Sequence, residues 1–183
     1  MAYFPIFVDL KDKNILIIGG GAVAYRKIEK LLPFEANIFV IAKEIKDERI
    51  ENLKGKISIE IREFRFEDLE KKDIVINATD DIEFQKKVFE RCLELKIPVN
   101  SVDTPEYCSF IFPAYIKEGD VVIGISTSGK APILSKELKK ILKRCLPQNL
   151  ASILENLAKK RAFLKSNENK NEILKKYLKN LIK

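Results

Sequence analysis

NILIIGGGAVAYRK, residues 14–27, is the stretch on which the reading of this chain turns. Aliphatic residues run straight into three consecutive glycines, although the 183-residue chain holds only seven. Glycine lacks a Cβ, so it permits tight turns and close backbone approach, at an entropic cost wherever that freedom goes unused. Gly19-Gly20-Gly21-Ala22-Val23-Ala24 fits the spacing GxGxxA, with a strand expected before it and a helix after it. In that setting Gly19 makes the turn, Gly21 lets a pyrophosphate approach, and a small third residue allows close packing of helix on strand. The helix N-terminus then offers its free N–H groups to the phosphates.

Working outward, strands alternate with helices. NILII (14–18) is a short buried-strand pattern, and VAYRKIEKLL (23–32) sets Ala24, Ile28, Leu31 and Leu32 on one helical face. NIFVIA (37–42), ISIEIREF (57–64), DIVINATD (73–80) and IPVNSV (97–102) read as further strands, ISIEIREF as a half-buried one, with the helix IEFQKKVFERCLEL (82–95) between the last two. Such alternation implies right-handed crossovers and a largely parallel sheet covered on both faces, an α/β fold of Rossmann type. The pattern changes near Ser109. SFIFPAYI (109–116) and DVVIGIST (120–127) are apolar strands around the hairpin signal KEGD (117–120), and helices follow from about Pro132. Breaks at Pro113 and Pro147 read as element boundaries, because no Gly/Ser-rich linker intervenes.

Composition removes several kinds of chemistry. There is no histidine, so imidazole catalysis and histidine-ligated zinc are excluded; carboxylates, hydroxyls, lysine or a cofactor must do any chemistry. Cys92, Cys108 and Cys145 are odd in number and form no CxxC pair, which argues against a disulfide framework and a cysteine-built metal site, so no metal ligand is assigned. No apolar run approaches bilayer length and the start MAYFPIFVDLKDK has no signal-peptide organisation, so a cytoplasmic protein without a membrane partner is expected. Of the net charge of +7, residues 151–183 carry +6. Apolar residues recur there at helical spacing, so the lysines read as the wet face of two amphipathic helices, ahead of attraction for an acidic small molecule and ahead of nucleic acid.

At the end of the second strand, VIAKE (40–44) lacks the acid that commonly binds the adenosine ribose. Glu44, one position later, favours NAD; Lys43 meeting a 2′-phosphate favours NADP; two solvated loop charges are the plain alternative. On balance the reading is NAD.

Several ordered motifs together resemble the precorrin-2 dehydrogenase and sirohydrochlorin ferrochelatase family of siroheme biosynthesis, including the N-terminal part of siroheme synthase. They are PIFVDLKDKNILIIGGGAVAYRK (5–27), INATDD (76–81), VNSVDTPEYCSFIFPA (99–114), GISTSGKAPILSKELKKIL (124–142) and LP (146–147), about the first four-fifths of the chain. No methyltransferase domain follows, so the stand-alone form is expected. The resemblance implies NAD-dependent oxidation of precorrin-2, an acidic tetrapyrrole, to sirohydrochlorin, with Fe²⁺ insertion by the same site in some members. It implies a Rossmann domain over 1–112, a dimerisation segment over 113–146, a C-terminal helical domain over 147–183, and a homodimer.

Carried over residue by residue, the cofactor contacts implied are Gly19, Gly21, Ala22, Val23, Lys43, Glu44, Thr79 and Asp80, with Asp81 read instead as the cap of the following helix. Asp103 corresponds to the family's catalytic acid, placed just beyond the fifth strand; without the family motif it reads as the start of a turn before Thr104-Pro105. Ser109, Thr127, Ser128 and Lys130 are the expected substrate contacts, the hydroxyls and ammonium of 126–130 suiting carboxylates, with an ordinary hairpin-to-helix turn as the plain alternative for that loop. The chain departs from the family at Ala131, where a serine is common before the proline and alanine is a poor cap. Two rival readings differ in kind. A non-catalytic NAD-sensing domain of a transporter shares the glycine-rich fold but does not explain residues 99–114. A short-chain dehydrogenase fails because none of the five tyrosines has a lysine four positions later.

Overall fold

In the computed structural model, which describes residues 3–164 and 169–181, β1 (Asn14–Ile18) is the middle strand of a five-stranded parallel sheet. Ile15, Leu16 and Ile17 are fully buried, as a strand covered on both faces requires, and this is why its sequence is a continuous apolar run. β2 (Asn37–Ala42) and β3 (Ser58–Ile61) lie to one side, β4 (Ile74–Asn77) and β5 (Val99–Ser101) to the other, giving the order β3-β2-β1-β4-β5. The chain therefore reverses direction across the sheet between β1 and β4. Open α/β sheets bind ligands at such a switch point, beyond the carboxyl ends of the strands.

Helix α1 (Ala22–Leu31) buries Ala24, Ile28 and Leu31, one i, i+4, i+7 stripe. It ends in a 3-10 turn over Leu32–Phe34, and Glu35 closes it in the left-handed region. Helix α3 (Ile82–Glu94) packs Val88 and Cys92 against Leu16, Ile18, Ile41, Val75 and Val99, forming an apolar core. A short helix α2 (Glu48–Glu51) between β2 and β3 carries no signal strong enough to be read from sequence. The half-buried alternation expected at 57–64 is only partly realised. β3 is an edge strand on which Ile59 is half-buried while Ile61 is 58% exposed.

Residues from Phe112 onward form a second compact unit. The hairpin signal falls where expected: β6 (Ala114–Glu118) and β7 (Val121–Ile125) pair antiparallel, and Gly119, with φ +59°, occupies the first turn position. The strand expected over 109–116 starts only at Ala114, because Ser109 is spent on pairing with β5 and Pro113 interrupts a ladder. Helix α4 (Pro132–Cys145) opens on proline as expected, and α5 (Leu150–Phe163) and α6 (Lys170–Leu181) follow. Among the described residues no helix is long and apolar enough to cross a membrane.

Candidate functional site

The three glycines answer to three different constraints. Gly19 has φ +122°, and a Cβ there would stand 2.6 Å from the Ala78 carbonyl oxygen, at the point where β1 and β4 diverge. Gly20 is wedged against the strand on the other side: a Cβ would collide with the Glu44 carbonyl oxygen, with Ile45 Cα at 3.1 Å. Its own carbonyl accepts from the backbone N–H groups of Lys46 (2.9 Å) and Asp47 (3.1 Å), so the middle glycine ties the β2 exit to the motif. Gly21 is otherwise. Its backbone is extended, and a Cβ there would meet nothing within 4 Å.

Nothing inside the chain demands glycine at position 21; the open space beside it does. Gly21 is the N-cap of α1, and no side chain caps that helix end, so its first-turn amides are left without a side-chain acceptor. An uncapped helix N-terminus with an unobstructed approach fits a pyrophosphate. Ala24, fully buried, is the small third residue that lets α1 lie close to β1.

Lys43 and Glu44 leave the end of β2 as exposed charges, each engaged: Lys43 Nζ lies 3.0 Å from Glu63, and Glu44 lies 3.1 Å from Lys46 Nζ. Both sit on the carboxyl edge of the sheet. Past β4, the Thr79 hydroxyl donates to Asn77 Oδ1 (2.7 Å), Asp80 is exposed, and Asp81 accepts from the Phe84 N–H (3.0 Å), capping α3 as expected. Asn77 Nδ2 and Ser101 Oγ, on register-paired residues of β4 and β5, are buried with no protein partner.

Asp103 is exposed just beyond β5, on the same carboxyl edge, with φ +61°. A non-glycine residue holds that conformation only where its surroundings over-determine it. Here they do. Gln85, buried on the first turn of α3, donates from Nε2 to the carbonyls of Thr79 (2.6 Å) and Val102 (3.3 Å), and its Oε1 accepts from the Thr104 hydroxyl (2.5 Å). One side chain thus braces the loops after β4 and β5 together. On the far side of Asp103, the Cys108 thiol donates to the Ser101 carbonyl (3.0 Å). Gln85 escaped notice in the sequence, where the signal was present: a polar residue standing on the buried i, i+3, i+7 face with Val88 and Cys92.

A second, half-buried polar group lies on the opposite face of the sheet. Lys27, on α1, donates from Nζ to Asn100 Oδ1 (2.9 Å), and Asn100 Nδ2 donates to the Phe110 carbonyl (3.0 Å) and to Cys108 Sγ (3.4 Å). Burial is the main cause that pulls the Lys27 ammonium down from 10.5 to about 8; Lys30 and Arg26 lower it as well, while Cys108 and Asp103 raise it. Burial likewise pushes the Cys108 thiol up from its ordinary value.

Ser109 and the 126–131 loop are more structural than expected. The Ser109 hydroxyl accepts from the Val99 N–H (2.8 Å) and lies 3.2 Å from the Val99 carbonyl, stitching the segment after Asp103 onto β5. In the second unit, Thr127 Oγ1 accepts from the Ala131 N–H (3.2 Å) and pairs with Ser135 Oγ (3.1 Å), bracing the loop ahead of α4, whose N-cap Ala131 offers no side-chain cap. Ser128, at φ +54°, donates its N–H to Ser126 Oγ (3.0 Å), and Lys130 is exposed. Among the described residues no cluster of three or more acidic or cysteine side chains is arranged to hold a metal.

Comparison with known proteins agrees with this geometry. A family model described as "Putative NAD(P)-binding" matches residues 6–114. Siroheme synthase of Vesicomyosocius okutanii is 38% identical over 157 residues, covering 85% of this chain and 34% of that protein. Siroheme synthase of Buchnera aphidicola is 39% identical over 166 residues, covering 90% of this chain and 35% of that protein. The chain spans about a third of the length of these curated relatives. The solved structure of "SirC, precorrin-2 dehydrogenase" superposes with a TM-score of 0.74 at 27% identity, covering 95% of this chain and 88% of that one. Sheet, glycine cradle and these matches agree: the chain belongs to the putative NAD(P)-binding family and is a relative of the siroheme synthases and of precorrin-2 dehydrogenase.

Proposed function

We propose that this chain oxidises precorrin-2 to sirohydrochlorin in siroheme biosynthesis, with NAD as the hydride acceptor. The observation that carries the reading is the arrangement of one sheet edge. The open backbone at Gly21 and the braced carboxylate of Asp103 leave the carboxyl ends of strands in the same sheet. Bound there, NAD supplies the acceptor for the hydride, and the overall change leaves sirohydrochlorin, NADH and a proton.

The chain's own residues hold and orient. Ala22 and Val23 present amides to the pyrophosphate, Gly19 shapes the turn, and Gly21 leaves room for it. Glu44 is assigned to the adenosine ribose, with Lys43 beside it, and Thr79 and Asp80 to the far half of the cofactor. Asp103 accepts the ring proton released with the hydride. Thr127, Ser128 and Lys130 are assigned to the carboxylates of the substrate, where an ammonium and hydroxyls suit an acidic tetrapyrrole. Ser109, its hydroxyl bound to β5, contributes by holding the segment after Asp103.

Fe²⁺ insertion into sirohydrochlorin is proposed as a second step at the same carboxylate. Asp103 would take the two pyrrole N–H protons one at a time, passing each to solvent, and iron enters as substrate. The residues after 112 are read as a dimerisation segment (113–146) and a helical domain (147–183). A stripe on α4, Ile133, Leu134, Leu138, Ile141 and Leu142, is exposed, and a second copy of this chain is the proposed cover. The unpaired thiols of Cys92, Cys108 and Cys145 suit the cytoplasm.

The test is spectroscopic. Anaerobic incubation with NAD and precorrin-2 is expected to produce the sirohydrochlorin spectrum, with NADH appearing in equal amount. Binding of NAD without any spectral change would favour the sensor reading instead.

A further inference from the structure

Lys27 belongs to the helix that opens with the dinucleotide motif, yet its ammonium turns toward β5. It donates to Asn100 (2.9 Å), and Asn100 in turn holds the Phe110 carbonyl (3.0 Å) and Cys108 Sγ (3.4 Å). Asn100 and Cys108 also pair as an isolated antiparallel bridge, so the chain that leaves β5 through Asp103 comes back across Asn100 five residues after Asp103. Both ends of the Asp103 turn are anchored in this crossing: the Cys108 thiol donates to the Ser101 carbonyl at 3.0 Å and lies 3.4 Å from that of Thr104. An amphipathic helix gains nothing from half-burying a lysine, so an expensive cation is kept where an apolar residue would pack.

We propose that Lys27 is a positioning residue for Asp103, tying the cofactor-binding helix to the Asn100–Cys108 crossing so that the proton-accepting carboxylate and the dinucleotide cradle keep one relative geometry. The inference rests on the reading of Asp103 as the proton acceptor. A charge-assisted hydrogen bond is about twice as strong as a neutral one, so the tie is strongest while Lys27 is protonated. The charged and titratable groups acting on it include Lys30 and Arg26 on its own helix and Cys108 and Asp103 from the segment after β5. Their balance with burial leaves the ammonium titrating at about 8.

Two measurements decide it. In the pH profile of kcat for precorrin-2 oxidation, the wild type is expected to lose activity as pH rises through about 8, where Lys27 gives up its proton. Lys27→Arg, which stays charged, is expected to move that limb upward, and Lys27→Met to lower kcat about tenfold with no limb, while KM for NAD changes little. The second readout needs no turnover: side-chain nitrogen NMR of labelled lysine, with the Lys27 signal assigned by its loss in Lys27→Arg. Asp103→Asn is expected to lower the Lys27 midpoint, because it removes an anion that raises it. An alkaline limb that persists unmoved in Lys27→Arg, or a Lys27 midpoint indifferent to Asp103→Asn, overturns the proposal. Should the wild type not oxidise precorrin-2 at all, the proposed function fails, and the NMR titration still decides whether Lys27 and Asp103 act on each other.

Discussion

Alanine substitution of each of the three consecutive glycines should produce three different failures. At Gly21 a Cβ meets no protein atom within 4 Å and the backbone is extended, so Gly21→Ala folds without strain. Restricting the unfolded chain adds about 0.4–1 kcal/mol, which alanine's poorer N-capping offsets, so stability should change little. The same methyl occupies the approach to the helix N-terminus, and each charge-assisted hydrogen bond it prevents is worth about 1.5–3 kcal/mol, so NAD affinity should fall at least about tenfold. At Gly20 the methyl runs into the Glu44 carbonyl and Ile45 Cα, both backbone, so the β2 exit must shift; overpacking of this kind costs about 1–3 kcal/mol. At Gly19 collision with the Ala78 carbonyl adds to a φ of +122°, and the positive-φ strain alone costs about 1–3 kcal/mol. Thermal unfolding separates the three, since about 1 kcal/mol corresponds to roughly 2–4 °C in Tm for a chain of this size. Titration calorimetry with NAD supplies the other axis. The reasoning is refuted if Gly21→Ala binds NAD as tightly as the wild type, or if Gly20→Ala is as stable as Gly21→Ala.

Further outcomes follow from the same structure. Asp103→Asn, which tolerates the left-handed backbone, should keep NAD affinity and lower kcat about 10²–10⁴-fold; an unchanged rate removes Asp103 from the mechanism. Gln85→Ala takes the side-chain donor from the Thr79 carbonyl and leaves the Thr104 hydroxyl and the Val102 carbonyl with their mutual 3.3 Å hydrogen bond, so unfolding should become easier by about 1–3 kcal/mol, measured by denaturant titration. Lys27 makes stability rise with alkalinity: its folded value of about 8 lies below 10.5, so the unfolded chain binds more protons between them. The penalty of burying its charge, on the order of 3 kcal/mol, is in force below pH 8 and is relieved between pH 8 and 10.5. Lys27→Met should lack that rise, and the difference between the two stability curves cancels the opposing thiols of Cys92 and Cys108; a flat difference contradicts the assignment. Leu138→Asp and Ile141→Asp on the α4 stripe should turn a homodimer into monomers by light scattering, whereas a wild type already monomeric at micromolar concentration ends the dimer proposal.

The parallel sheet was legible because its causes are local. A strand buried on both faces has to be apolar throughout, a helix on one face has to repeat every three or four residues, and residues 14–102 do both in turn. β3 was less so, since an edge strand need not bury its alternate residues, and Ile61 lies in solvent. The glycine spacing assigned the turn to Gly19 and the expected close approach to Gly21, but said nothing of Gly20. Only the neighbours decide that, and Gly20, an unconstrained position in the motif, proves to be held by the Glu44 carbonyl 24 residues away in sequence. Lys27, Asn100 and Gln85 were missed for a similar reason. Each makes its contacts across the fold, and a polar residue inside an amphipathic pattern acquires a role only once its partners are known.

The most direct test of the central claim is a crystal structure of the chain soaked with NAD. Pyrophosphate density against the amides following Gly21, with the nicotinamide in the crevice bordered by Asp103, is the predicted result. A dinucleotide bound elsewhere, or a nicotinamide facing away from that carboxylate, contradicts it.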